Sequence, residues 1–208
     1  MTIDDCRRAL PSLAVAAALA GCVFSVPEPA LVREPRPEPV PLRMGVYYPP
    51  ELRSFTYRHH LTDTAWILGK PSVRLLGAAL SLLFADVVEV PRPGAGPSPG
   101  AHVAGVIEPR LVSASAVYWS DEHVKRGERV QPVRVTYGFT LYTTDGARVA
   151  SWEVTGRGEE PVVNPLGGVQ TLKRNFEHAM REAAWNFTRG FRDVPEVRRW
   201  LEERGVRA

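Results

Sequence analysis

Along residues 133–141 every second residue is apolar: Val133, Val135, Tyr137, Phe139 and Leu141 alternate with Arg134, Thr136, Gly138 and Thr140. Such alternation sends one set of side chains to each face and predicts a half-buried strand. The pattern resumes at Ala150, Trp152 and Val154, and the intervening Asp145-Gly146 predicts a hairpin turn. Shorter strands are predicted over 44–48, 54–58 and 87–90. Another is predicted over 104–115, with Pro109 confined to an edge or bulge because proline cannot donate to a ladder. Elsewhere the period changes. Val73, Leu76, Leu80, Leu83 and Phe84 recur at three and four residues behind Pro71-Ser72, which predicts a helix. Leu172, Phe176, Met180, Ala183, Phe187 and Phe191 form a longer stripe of the same kind. Asp193 and Glu196 have the spacing of a capping box for a last short helix carrying Val197, Trp200 and Leu201, closed by Gly205. The order is strand-helix-strand-strand-strand-helix. It predicts an α+β fold: a mostly antiparallel sheet with two main helices packed on one face and a short extra C-terminal helix.

Composition adds limits. With 208 residues, 44% of them hydrophobic, and a net charge of only +3, the chain can bury a core and is not intrinsically disordered. A mean hydropathy of −0.16 excludes a polytopic membrane protein. Two cysteines exclude a disulfide-stapled scaffold and a four-cysteine zinc site. The proline excess is local: prolines at 27, 29, 35, 37, 39 and 41 make residues 26–43 read as an extended tether. At about 3.1 Å per residue it could hold a domain some 50 Å from a surface.

The N-terminus sets the compartment. An apolar run over 13–20 follows Arg7-Arg8 and ends at Gly21-Cys22. It is shorter than the roughly 20 residues that span a bilayer, and its order is that of a secretory signal. Leu19-Ala20-Gly21-Cys22 resembles the lipobox of bacterial lipoproteins. The resemblance implies signal-peptidase recognition of Leu19, Ala20 and Gly21, cleavage before Cys22, and lipidation of Cys22. Val23 stands where inner-membrane lipoproteins often carry Asp, which implies sorting to the outer membrane, facing the periplasm. The expected organisation is therefore a signal peptide at 1–21, a lipidated Cys22 with Pro-rich tether at 22–43, and one domain at 44–208. Cys6 leaves with the signal and Cys22 becomes a thioether, which excludes a cysteine nucleophile.

Catalytic patterns are weak. His59 and His60 are adjacent, so on a regular strand they point to opposite faces and cannot share a metal. Ser120, Asp121 and His123 are clustered in sequence, whereas a catalytic triad converges from separate elements, and no Gly-x-Ser-x-Gly elbow exists. Glu159 and Glu160 are adjacent rather than facing, and residues 164–168 read as a helix-start turn. No cofactor or metal is expected. An envelope hydrolase remains the alternative if His59, His60, Asp63, Asp121 and His123 converge in space. Lys173, Arg174, Arg181, Arg189, Arg192, Arg198, Arg199, Arg204 and Arg207, interleaved with acids, give a mixed, solvated helix face. Its sharper reading is a basic patch for anionic lipid or lipopolysaccharide. An exported chain leaves no role for nucleic acid. Trp152 and Trp185 are in phase with apolar neighbours and are expected in the core.

Taken together, the lipobox, the helix over 73–84, the hairpin over 133–154 and the closing helix over 172–191 resemble small envelope lipoproteins. Similar layouts occur in the lipopolysaccharide-assembly lipoprotein of the outer membrane, the curli-secretion lipoprotein and the N-terminal domain of the Tol-system periplasmic protein. The resemblance implies a non-catalytic assembly or transport accessory that binds an envelope protein partner through a free sheet edge or basic helix face. A lipid- or glycan-binding lipoprotein is the other alternative, and requires an apolar or Trp-lined cavity.

Overall fold

The structure, a computed structural model, describes residues 23–26, 38–59, 64–94, 102–117, 131–161 and 168–206. The chain runs through strands β1 (Val23–Ser25) and β2 (Val40–Val46), the helical turn α1 (Pro50–Arg53), strands β3 (Thr56–His59) and β4 (Thr64–Ile67), helix α2 (Gly69–Leu83) and strand β5 (Phe84–Glu89). The long strands β6 (Val106–Ala116), β7 (Val133–Tyr142) and β8 (Arg148–Gly158) follow, then helix α3 (Gly168–Gly190) and helix α4 (Pro195–Glu202). A five-stranded sheet has the order β5-β2-β6-β7-β8, and a three-stranded sheet the order β1-β4-β3. The fold is α+β. Its long pairings, β6 with β7 and β7 with β8, are antiparallel, while β2 pairs in parallel with β5 and β6.

The predicted alternation sets the core. Val133, Val135, Tyr137, Phe139 and Leu141 are all buried, and the helices α2 and α3 touch one another over this face. Each residue of the α3 stripe from Leu172 to Phe187 is buried, and Phe191 continues it into a single 3-10 turn. Phe139 stacks on Phe187 at 4.2 Å and on Trp152 at 5.8 Å, so aromatic rings fill the space between sheet and helix. Close approach of α3 depends on Gly156 and Gly158. A Cβ at these positions would lie 1.9 Å from the Ala179 carbonyl oxygen and 2.0 Å from that of Asn175. At the hairpin, Gly146 takes φ +90°, the left-handed region that glycine enters without strain.

Several expectations are corrected. Val40 and the residues to Arg43, expected in the tether, form the first half of β2, and Val40 is fully buried between sheet and helices. Val23–Ser25, also expected in the tether, is a strand of the small sheet. Apolar side chains decide this: Phe24 stacks on the buried Trp66 at 5.1 Å. Helix α2 begins at Gly69 and buries Leu75 and Ala79 rather than Val73, while Phe84 starts β5. Asp193 and Glu196 form no capping box, because Val194 occupies the N-cap and Pro195 starts α4. Pro109 obeys its expectation locally. Strand β2 pairs with β6 only at Val106 and Ile107, so Pro109 meets a neighbour, β7, on one side alone.

Candidate functional site

Helix α3 runs antiparallel to β8 and covers its outer edge with polar side chains. The Arg157 amide donates to Glu182, and Asn186 Nδ2 donates to the Thr155 carbonyl at 2.9 Å. Further along, Asn175 is fully buried. Its Oδ1 accepts the Glu160 amide at 2.7 Å, and its Nδ2 donates to the Gln131 carbonyl at 2.8 Å. These bonds satisfy backbone groups that an open edge would offer to another chain. Along this stretch β8 is therefore not the free sheet edge expected as a contact.

What lies beside that edge is a groove of about 440 Å³ lined by Arg157, His178, Arg181, Glu182, Trp185, Asn186 and Arg189. Residues 178, 181, 182, 185 and 189 are three or four apart, so one helix face supplies them, and β8 adds Arg157. Three guanidiniums meet one carboxylate here. The Arg189 guanidinium lies 5.7 Å from the Trp185 ring centre, and Arg181 Nε is buried with no hydrogen-bond partner among the described residues. His178 instead turns to Glu160, at 3.2 Å, where Arg174 also binds at 3.3 Å. The groove suits an anionic group: a carboxylate or a phosphate. Arg192, Arg198 and Arg204, around α4, are drawn away from it. Arg192 donates to the Glu38 carbonyl, Arg198 approaches Asp193 at 3.8 Å, and Arg204 lies over Trp200 at 4.2 Å.

A second cleft, of about 550 Å³, lies at the start of β6 among Tyr47, Phe55, Arg92, Glu108, Arg110 and Leu111. Glu108 is buried, and its carboxylate takes Arg110 Nε and Nη2, both at 2.6 Å. The bonded carboxylate holds the Arg110 guanidinium above its ordinary range. Burial raises the Tyr142 hydroxyl, and neighbouring Glu108 adds to the shift. Beside this cleft Tyr48 is pushed up to about 12, first by burial and then by Glu89. The sequence does contain the signal for the Glu108–Arg110 pair: with one residue between them on a strand, their side chains share a face.

Of the hydrolase set, His59 is buried in β3 with its ring edge-on to Tyr57, at 6.4 Å between centres. His60, Asp63, Asp121 and His123 lie outside the described residues, as do Leu19, Ala20, Gly21 and Cys22. Among the described residues no three His, Cys, Asp or Glu gather as a metal site, and no helix is long and apolar enough to cross a membrane. Trp152 packs half-buried against Phe139 and Phe187, in the core as expected, whereas Trp185, though buried, lies outside that core on the helix face that lines the groove, under Arg189. Both clefts open on the outside of the fold, whereas the space between sheet and helix is filled by rings.

No family model matches the chain, and no curated protein matches it. Among solved structures, the Xanthomonas campestris protein XCC0632 is similar at 13% identity and a TM-score of 0.48, over 80% of this chain and 92% of that one. A minor lipoprotein from Acinetobacter baumannii is similar at 9% identity and a TM-score of 0.45, over 74% and 92% of the two chains. A Caulobacter crescentus protein shares 14% identity with a TM-score of 0.37, over 65% and 84%. Likenesses of this degree carry no function across.

Proposed function

We propose that the chain is a bacterial lipoprotein, anchored in the outer membrane through lipidated Cys22 and facing the periplasm. In this reading its folded part is a non-catalytic assembly or transport accessory that binds an envelope protein. The anchor rests on Leu19-Ala20-Gly21-Cys22. The single observation that supports the binding role is the groove beside β8, where Arg157, Arg181 and Arg189 surround one carboxylate and Arg181 Nε has no partner among the described residues. Its excess of positive charge fits an acidic segment of a partner, with Trp185 as an aromatic floor.

Site-specific photocrosslinking in cells tests this. A crosslinker placed at Asn186 is expected to capture one discrete protein. The double charge reversal Arg181→Glu, Arg189→Glu is expected to abolish that product while leaving the protein's amount and circular dichroism unchanged. An unchanged crosslink in the reversed variant, or no product at Asn186, contradicts the groove as the contact.

A further inference from the structure

Strand β1 begins at the residue after Cys22. It is held in parallel register with β4, Val23 opposite Ala65, Phe24 opposite Trp66 and Ser25 opposite Ile67. Behind it Val26 is only 1% exposed. Consecutive Cα atoms are about 3.8 Å apart, so a group carried by Cys22 leaves the chain at the rim of the small sheet. The chain is again buried at Val40. Val26 and Val40 both belong to the core, so an anchor at Cys22 would join the domain at Val23.

The rim belongs to one end of the molecule. Strand β3 follows the direction of β6, since Phe55 and Leu111 line one cleft and the Ala116 amide donates to Tyr57 Oη at 3.2 Å. Arg58 pairs with Ala65, which places Val23 at the level of Ala116. Val117 follows there, its amide bonded to the Pro132 carbonyl at 2.9 Å. Gly168, at the start of α3, borders the Gln131 side chain beside it. Three strongly exposed aliphatic residues therefore stand at this end: Val23 at 62%, Val117 at 47% and Val169 at 42%. Exposed arginines join them. These are Arg134, which lies opposite Arg157 across β7 and β8, and Arg58, the residue after Tyr57.

We propose that this end is the membrane-contacting surface, laid directly on an anionic bilayer with the valines at the interface and the arginines toward lipid phosphates. The proposal rests on lipidation of Cys22. It replaces a domain held at a distance by a stalk with one pressed onto the leaflet in a fixed orientation.

The full chain, produced with its own N-terminus in a Gram-negative host, is reconstituted in phosphatidylethanolamine–phosphatidylglycerol vesicles containing brominated lipid. A fluorophore is attached at Val117→Cys, Val169→Cys or, at the distant end beyond α4, Glu203→Cys. Loss of fluorescence at 117 and 169, with none at 203, is the expected result. Releasing β1 with Phe24→Ala is expected to restore fluorescence at 117 and 169 without unfolding the domain. Full fluorescence at all three positions, on protein that floats with the vesicles and carries lipid at Cys22, overturns this inference and leaves the lipoprotein reading intact. Protein that neither floats nor carries lipid overturns both. Equal quenching on phosphatidylcholine vesicles overturns the role given to the arginines.

Discussion

Tyr137 shows how a residue can be placed by pattern while its partner stays hidden. Its place in the alternation marks it as inward-facing, and it is fully buried. Its hydroxyl meets Ser72 Oγ at 2.8 Å, and Ser72 Oγ in turn donates to the Leu68 carbonyl at 2.7 Å. The tyrosine is therefore the donor to Ser72, and burial holds its hydroxyl well above the ordinary range. The two ends of this bond are unequal. Tyr137→Phe removes a donor and leaves Ser72 bonded, at an expected cost of about 1 kcal/mol. Ser72→Ala strands a buried hydroxyl and is expected to cost about 1–3 kcal/mol. Urea unfolding of both variants checks the order, and Tyr137→Phe as the costlier change contradicts the assignment. In the sequence Ser72 marks only a helix start, because nothing local shows that a strand 65 residues away meets it.

At the level of elements, the long periodic segments are legible, and so in part are the short strands β2, β3 and β5, which overlap the strands predicted over 44–48, 54–58 and 87–90. Strands β7 and β8 and helices α2 and α3 each have enough residues for their period to show, while β6 is legible from its apolar content. Strands β1 and β4, of three and four residues, are not legible, and their pairing is set by tertiary contacts such as Phe24 on Trp66. Proline around residues 27–41 suggests an extended tether, yet the apolar Val26 and Val40 at its ends dominate by burial. The seating of α3 is likewise invisible in its own sequence, since it depends on glycines in β8. Gly156→Ala sets a methyl against the Ala179 backbone, which cannot move without shifting the helix. The expected loss is about 3 kcal/mol or more, with near-ultraviolet circular dichroism of the Trp152–Phe187 stack reduced. A thermal midpoint within error of the parent contradicts this packing.

For the molecule as a whole, the residues on both sides of the Pro-rich stretch, Val23–Val26 and Val40, belong to the domain. The lipobox resemblance rests on four consecutive residues, Leu19-Ala20-Gly21-Cys22, which lie outside the described ones. The basic groove is only half legible. Arg181 and Arg189 stand out on one helix, but Arg157 joins from β8, and Arg192, Arg198 and Arg204 are engaged elsewhere. The Glu108–Arg110 pair is legible from its spacing on one strand, whereas the end shared by Val23, Val117 and Val169 requires the strands to be assembled first. Every functional proposal depends on what Cys22 carries. Mass spectrometry of the N-terminal peptide from membrane-purified protein measures that directly. A peptide beginning at Cys22 with diacylglycerol on sulfur, absent from Cys22→Ser, is the predicted result. A peptide that still contains residues 1–21, or a free thiol at Cys22, contradicts it.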